Sequence, residues 1–264
     1  MKSLSPYNFR VPVELCQYSI TNKFTSPFQL YVYLKGICSG KVKISPNDLL
    51  RASCDLDCTV KTVRNNLKKL LKKNWVGFNP KSKYYFIRSF DKIQQIEGLK
   101  ARTGVEFSEK YFSNFKQFAA GAFIGYLANS IRRNRAIERN KRGSNHIARN
   151  SGYFPVSNSL IAKLLHISIS TAHKLKKQAF NIGFIDLRKT FQHTGVESYD
   201  KKFYKKAMPE VAGRLRIKKD QLMLTDCDLI KPLLSFKRRE KNRRINKRVP
   251  KGDYRNGFFE LKTC

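Results

Sequence analysis

Apolar residues downstream of Thr59 recur at helical spacing: Val63, Leu67, Leu70 and Leu71 stand at i, i+4, i+7 and i+8, which places them on one face. Thr59 is suited to cap that helix, and Asn74 stands where a left-handed residue would end it. Upstream, Ser45-Pro46-Asn47-Asp48 before Leu49-Leu50 combines a cap, a proline at the first helical position and an acid at the third, so a short helix is predicted to start there. A polar break at Ser53 to Asp57 separates the two helices. Beyond Asn74, Trp75 to Phe78, a Pro-Lys-Ser-Lys turn and Tyr84 to Ile87 read as a hairpin.

The same order returns about 109 residues later. Ser157 caps Leu160 to Leu165, and Ser168 caps a helix whose predicted inward face is Ala172, Leu175, Ala179 and Phe180, stopped by Gly183. Under that offset Thr59 matches Ser168, Val63 matches Ala172, Asn74 matches Gly183 and Trp75-Val76 matches Phe184-Ile185. Lys41 to Ile44 and Tyr153 to Val156 each supply an extended segment before the serine cap, and helices at about Phe28 to Leu34 and Ser113 to Arg133 precede those. Gly121 and Gly125, in the apolar run Phe118 to Ala128, predict close packing of a buried helix.

Ile161-Ala162-Lys163-Leu164-Leu165-His166-Ile167-Ser168-Ile169-Ser170-Thr171-Ala172 resembles the core of the winged helix-turn-helix superfamily. The resemblance covers about Thr25 to Arg88 and Phe112 to Leu187. It implies two DNA-reading helices, each opening on Ser or Thr and entering the major groove. The first turn, Ser53 to Cys58, is three residues longer than the second and carries two aspartates. Two such units in one chain are similar in architecture to plasmid and phage replication initiators and replisome organisers.

Charge narrows the partner. The 264 residues hold 54 Lys plus Arg against 19 Asp plus Glu, a formal net charge of +35, which favours a polyanion. Thr59 to Phe90 contains nine basic residues and no acid. Lys61, Arg64, Asn65, Lys68, Lys69 and Lys72 project away from the apolar stripe, and Lys81 and Lys83 crown the hairpin; this unit is expected to hold phosphates. Ser168, Ser170, Thr171, His173, Lys174 and Lys177 take the corresponding positions in the second unit, where shorter polar groups suit base edges. His166 is expected to fill the interface between its two helices.

Three segments frame the pair. Arg132 to Arg149 is an Arg/Asn-rich insertion, Lys201 to Lys219 interrupts the second hairpin with Gln221 to Thr225 as its return strand, and Lys237 to Lys251 carries nine basic residues, among them Arg238, Arg239, Arg243 and Arg244. The last is expected to be a DNA-binding arm. The organisation expected is therefore an N-terminal arm (1–24), a winged-helix unit (25–90), a helical or loose connector (91–111), a second unit with basic insertions (112–235) and a basic tail (236–264). The fold class is mainly α with small β-hairpin wings.

Sharper chemistry finds little support. Cys54-x3-Cys58 has no second cysteine pair and no nearby histidine, so no metal is expected. His146-Ile147-Ala148-Arg149 has the spacing found in tyrosine recombinases, yet His173-Lys174-Leu175-Lys176 stands where their nucleophile should follow. Without a Walker loop, a His-x-His pair or clustered acids, catalysis and cofactors have no candidate residues. No bilayer-length apolar run and no export signal are present, so a cytoplasmic protein with reduced thiols is expected. The reading is a double-stranded DNA-binding protein of replication initiation or transcriptional control on a mobile element, with homodimer formation allowed. Charge-driven packaging and RNA binding are the alternatives.

Overall fold

The computed structural model describes residues 9–38, 40–100, 103–141, 152–189, 191–197, 206, 215–218, 221–225 and 227–238. Strand β1 (Phe9–Pro12) leads directly into α1 (Val13–Thr21), with Pro12 at φ −61° as the hinge between them. Both are core elements: Val11, Val13, Leu15, Cys16, Ile20 and Phe24 are all buried. Residues 9–24 thus do not form the arm expected from sequence. Polar side chains between the apolar ones break every run in the sequence, but Arg10 faces outward on the strand while Val11 faces in.

The first unit follows as α2 (Thr25–Ile37), β2 (Lys41–Val42), α3 (Pro46–Asp55), α4 (Val60–Lys72), β3 (Val76–Asn79) and β4 (Tyr84–Ile87). Its caps form as the sequence predicts. Ser45 and Asp48 exchange hydrogen bonds at the start of α3 (Asp48 N–H to Ser45 Oγ 3.2 Å, Ser45 N–H to Asp48 Oδ2 2.8 Å), and the Ser45 hydroxyl and amide hold the Asp48 carboxyl below its usual range. Thr59 Oγ1 accepts from the Thr62 amide at the start of α4. Val63, Asn66, Leu67 and Leu70 face inward on α4, Leu71 is half-buried, and Asn74 at φ 58° ends the turn. Trp75 is fully buried among Tyr18, Phe24, Phe28 and Tyr31, and its indole donates to Glu97 Oε1 at 2.8 Å.

Next come α5 (Phe90–Ile96), β5 (Thr103–Phe107), a short 3-10 turn (Glu109–Tyr111) and α6 (Phe115–Lys141). The described residues of the connector expected at 91–111 thus contain most of α5, β5 and the 3-10 turn, and β5 is the central strand of an antiparallel sheet β1-β5-β12, where β12 (Phe236–Arg238) opens the expected tail. Its partners come from opposite ends of the chain, so no local pattern announces the pairing. Lys237 Nζ lies 2.8 Å from Glu106 Oε1 and holds that carboxyl below its usual range.

The second unit is β6 (Phe154–Pro155), α7 (Asn158–Leu165), α8 (Ile169–Asn181) and β7 (Ile185–Arg188); among the described residues β8 (Phe191–Glu197), β9 (Leu215–Lys218), β10 (Gln221–Thr225) and β11 (Leu229–Pro232) follow before β12. The return strand expected at Gln221 to Thr225 does pair with β8, but β7 pairs with β11, which closes the sheet next to the helices. Strand order is β2-β4-β3 in the first unit and β6-β11-β7 in the second, so the strand-helix-helix-hairpin arrangement recurs with its sheet order intact. The three extra residues of the first unit are also located. Two lengthen α3, ten residues against eight in α7, and one lengthens the turn; Asp57 (φ 47°) and His166 (φ 52°) take the left-handed position in each. His166 is exposed there and does not fill the interface between the helices.

The architecture is mixed, of helices and small antiparallel sheets; one core cluster runs from Val11 to Leu234, while the buried Leu215, Leu222 and Met223 of the β8-β10-β9 sheet stand outside it. Helix α6 is its axis, and it continues through Arg132 to Lys141, half of the expected insertion. Its glycines permit that role: a Cβ on Gly121 would stand 2.6 Å from Phe184 Cβ, and one on Gly125 would stand 3.0 Å from Pro232 Cβ and 3.1 Å from Phe236 Cζ. Gly121→Val should therefore destabilise the fold by about 1–3 kcal/mol through overpacking. Chemical denaturation reads this directly, and an unchanged midpoint would show that the α6–Phe184 contact yields without loss.

Candidate nucleic-acid interface

Helix α4 separates its residues cleanly. Lys61, Arg64, Asn65, Lys68, Lys69 and Lys72 are all exposed, opposite the buried Val63, Leu67 and Leu70. At the tip of the β3–β4 hairpin Asn79 Oδ1 accepts from the Lys81 amide at 3.0 Å, Lys83 adopts φ 55°, and both lysines are exposed. Two other basic residues of this run are engaged elsewhere. Arg88 donates through Nε to the Asn74 carbonyl (2.6 Å) and through Nη2 to Asn74 Oδ1 (2.5 Å), which ties the end of α4 to the hairpin. Lys73 donates to Tyr18 Oη at 2.7 Å and lies 3.7 Å from Glu97, and the Tyr18 hydrogen bond raises its pKa.

Helix α8 presents a different surface. Ser168, Ser170, Thr171, His173, Lys174 and Lys177 are all exposed. Ser168 Oγ accepts from the Thr171 amide (3.2 Å) and lies 3.0 Å from Ser170 Oγ and 2.8 Å from Thr171 Oγ1, so a cluster of three hydroxyls opens the helix. His173 Nδ1 sits 3.5 Å from Asn158 Nδ2 on α7. The inward face departs from expectation at two positions. Phe180 is 41% exposed, whereas Lys176 is 2% exposed and pairs with Asp228 Oδ2 at 2.5 Å. At about 100° per residue Lys176 lies only about 40° from Ala172 around the helix, and Phe180 about 80°, at the edge of the buried stripe.

The hairpin of the second unit is braced at its base. Tyr153 hydrogen-bonds the Asp186 carboxylate, which lowers the pKa of Asp186 and raises that of Tyr153, and the Arg188 guanidinium stands 4.1 Å from the Tyr153 ring centre. Between α8 and β7 a groove is lined by His173, Lys177, Phe180 and Leu187, with the Lys176–Asp228 pair in its wall. No family model, curated protein or solved structure matches this chain.

Of the tail residues, Arg238 is exposed at the end of β12, while Arg239, Arg243 and Arg244 lie outside the described residues, as do His146, Arg149 and most of Lys201 to Lys219. Among the described residues no three His, Cys, Asp or Glu side chains converge as a metal site would require. Cys54 is exposed, and Cys16, Cys38, Cys54 and Cys58 are free thiols; burial pushes Cys16 far up, out of reach of ionisation. No helix among the described residues is long and apolar enough to cross a membrane.

Sequence reasoning missed Lys41 and Lys43. Both ammonium groups stand over the Tyr84 ring, 4.1 and 5.0 Å from its centre, because β2 pairs with β4. Basic residues in a predicted strand were the available signal; the pairing that brings them to the hairpin was not.

Proposed function

We propose that the chain is a non-enzymatic protein that binds double-stranded DNA through two winged helix-turn-helix units and serves replication initiation or transcriptional control on a mobile element. The observation that carries this reading is the segregation on α4: six polar or basic residues exposed on one side, with no acid from Thr59 to Phe90 to offset them. A solvated helix face of a neutral-partner protein mixes signs. Here α4 is the phosphate-holding helix and α8, with its hydroxyls, histidine and two exposed lysines, is the base reader.

Paired substitutions test the division of labour. Lys68→Ala with Lys72→Ala should weaken a selected site and random duplex alike and flatten the salt dependence by up to about two units of log–log slope. Ser170→Ala with Lys174→Ala should cost about 1–3 kcal/mol on the selected site and much less on random duplex. If both variants lower the two affinities in parallel, neither helix reads bases and charge-driven packaging is the better description. Tighter binding to structured RNA than to any duplex DNA would favour the RNA alternative.

A further inference from the structure

The hairpin of the first unit carries aromatic rings as well as charge. Cross-strand partners share a face of a sheet, so the register places Lys41, Phe86 and Gly77 in one row, with Tyr84 and Asn79 beyond it on the same face. Val42, Tyr85 and Phe78 share the opposite face with Val76 and Ile87, which are buried at its base. Phe86 is 40% exposed and Phe78 46% exposed. The Phe78 ring has a cross-strand partner, since its centre lies 4.8 Å from that of Tyr85. Phe86 differs, because one of its cross-strand neighbours is Gly77. A Cβ added at Gly77 would meet only Phe86 Cβ, at 3.8 Å, so bare backbone lies beside the ring. Lys41 and Lys43 stand over the Tyr84 ring on this face, and Lys81 and Lys83 are exposed at the hairpin tip beyond it.

An exposed ring beside an empty strip, with lysines over the neighbouring Tyr84 and at the tip, matches a ligand with flat apolar faces and regular negative charge. Duplex DNA offers the charge but keeps its base faces stacked inside. We propose that the outer face of the β2-β4-β3 sheet, at Phe86 and Gly77, binds single-stranded DNA by stacking an unpaired base on the Phe86 ring while Lys41, Lys43 and the tip lysines hold the adjoining phosphates. Stacking of this kind tolerates any sequence, since every base has a π-face. The inference goes beyond duplex binding and does not depend on it.

Fluorescence anisotropy of the full chain with three labelled probes tests it: oligothymidylate, an abasic strand of the same length, and a random duplex. The abasic strand keeps the phosphates and removes the bases. The wild-type protein should bind oligothymidylate roughly 5- to 150-fold more tightly than the abasic strand. Phe86→Ala should erase most of that preference and leave the abasic and duplex affinities unchanged. Gly77→Thr should do the same by filling the strip, and its backbone requires no left-handed conformation. Phe86→Trp should keep the preference, with its emission quenched by oligothymidylate over a constant background from buried Trp75. Equal wild-type affinity for the oligothymidylate and abasic strands would overturn the proposal. So would an unquenched Phe86→Trp that binds normally, or a Phe86→Ala that weakens duplex and oligothymidylate equally, which would assign the face to duplex contact. Failure of duplex binding with the base preference intact would instead count against the proposed function alone.

Discussion

Raising salt from about 50 to about 200 mM should weaken binding to duplex DNA by roughly 10³- to 10⁵-fold, the loss that accompanies six to ten phosphate contacts. The exposed cations required for that number are present. Lys61, Arg64, Lys68, Lys69, Lys72, Lys81 and Lys83 are exposed on α4 and its hairpin, and Lys174 and Lys177 add to them on α8. Each neutralised phosphate releases condensed counterions, so the slope of log K against log salt should approach about −9 if ten are engaged. Lys73 and Arg88 are not among them, because Tyr18, Glu97 and Asn74 hold them. A slope shallower than about −4 would mean that the basic faces are not the binding surface. Titrations at several salt concentrations with one duplex are sufficient.

Asp228→Ala should destabilise the second unit strongly. Lys176 is 2% exposed and its ammonium rests 2.5 Å from the Asp228 carboxylate, so removal of the acid leaves a buried, unpaired cation on α8. The expected loss is about 3–5 kcal/mol, a large share of the roughly 5–15 kcal/mol that stabilises an ordinary domain. Replacing both partners with apolar residues, Lys176→Met with Asp228→Leu, should recover most of it, because no charge is then left buried. Urea unfolding separates the two variants. Equal stability for Asp228→Ala and wild type would mean that water reaches Lys176 and that α8 is not fixed by this pair.

Local signals proved readable and distant ones did not. Ser45, Thr59, Ser157 and Ser168 cap their helices through short-range hydrogen bonds that any four-residue window contains. Gly121 and Gly125 announced close packing, though not that Phe184, Pro232 and Phe236 would fill it. The sheet joining β1, β5 and β12 was invisible because its three strands lie in segments read as arm, connector and tail, and the pairing exists only once the chain has folded. The burial of Lys176 was not legible in the sequence, because its acid lies far along the chain beside β11. All the candidates of α4 and α8 are exposed, since helical periodicity alone decides which side they take.

The most direct test of sequence-specific duplex binding is the ratio of two affinities. A site is selected from random DNA by repeated capture on the full chain, and its affinity is compared with that of unselected duplex at the same salt. A ratio of roughly 10³ or more is the expected result for a protein that reads bases through α8. A ratio near one, with binding still strong and steeply salt-dependent, would contradict it and leave only charge to explain the interaction.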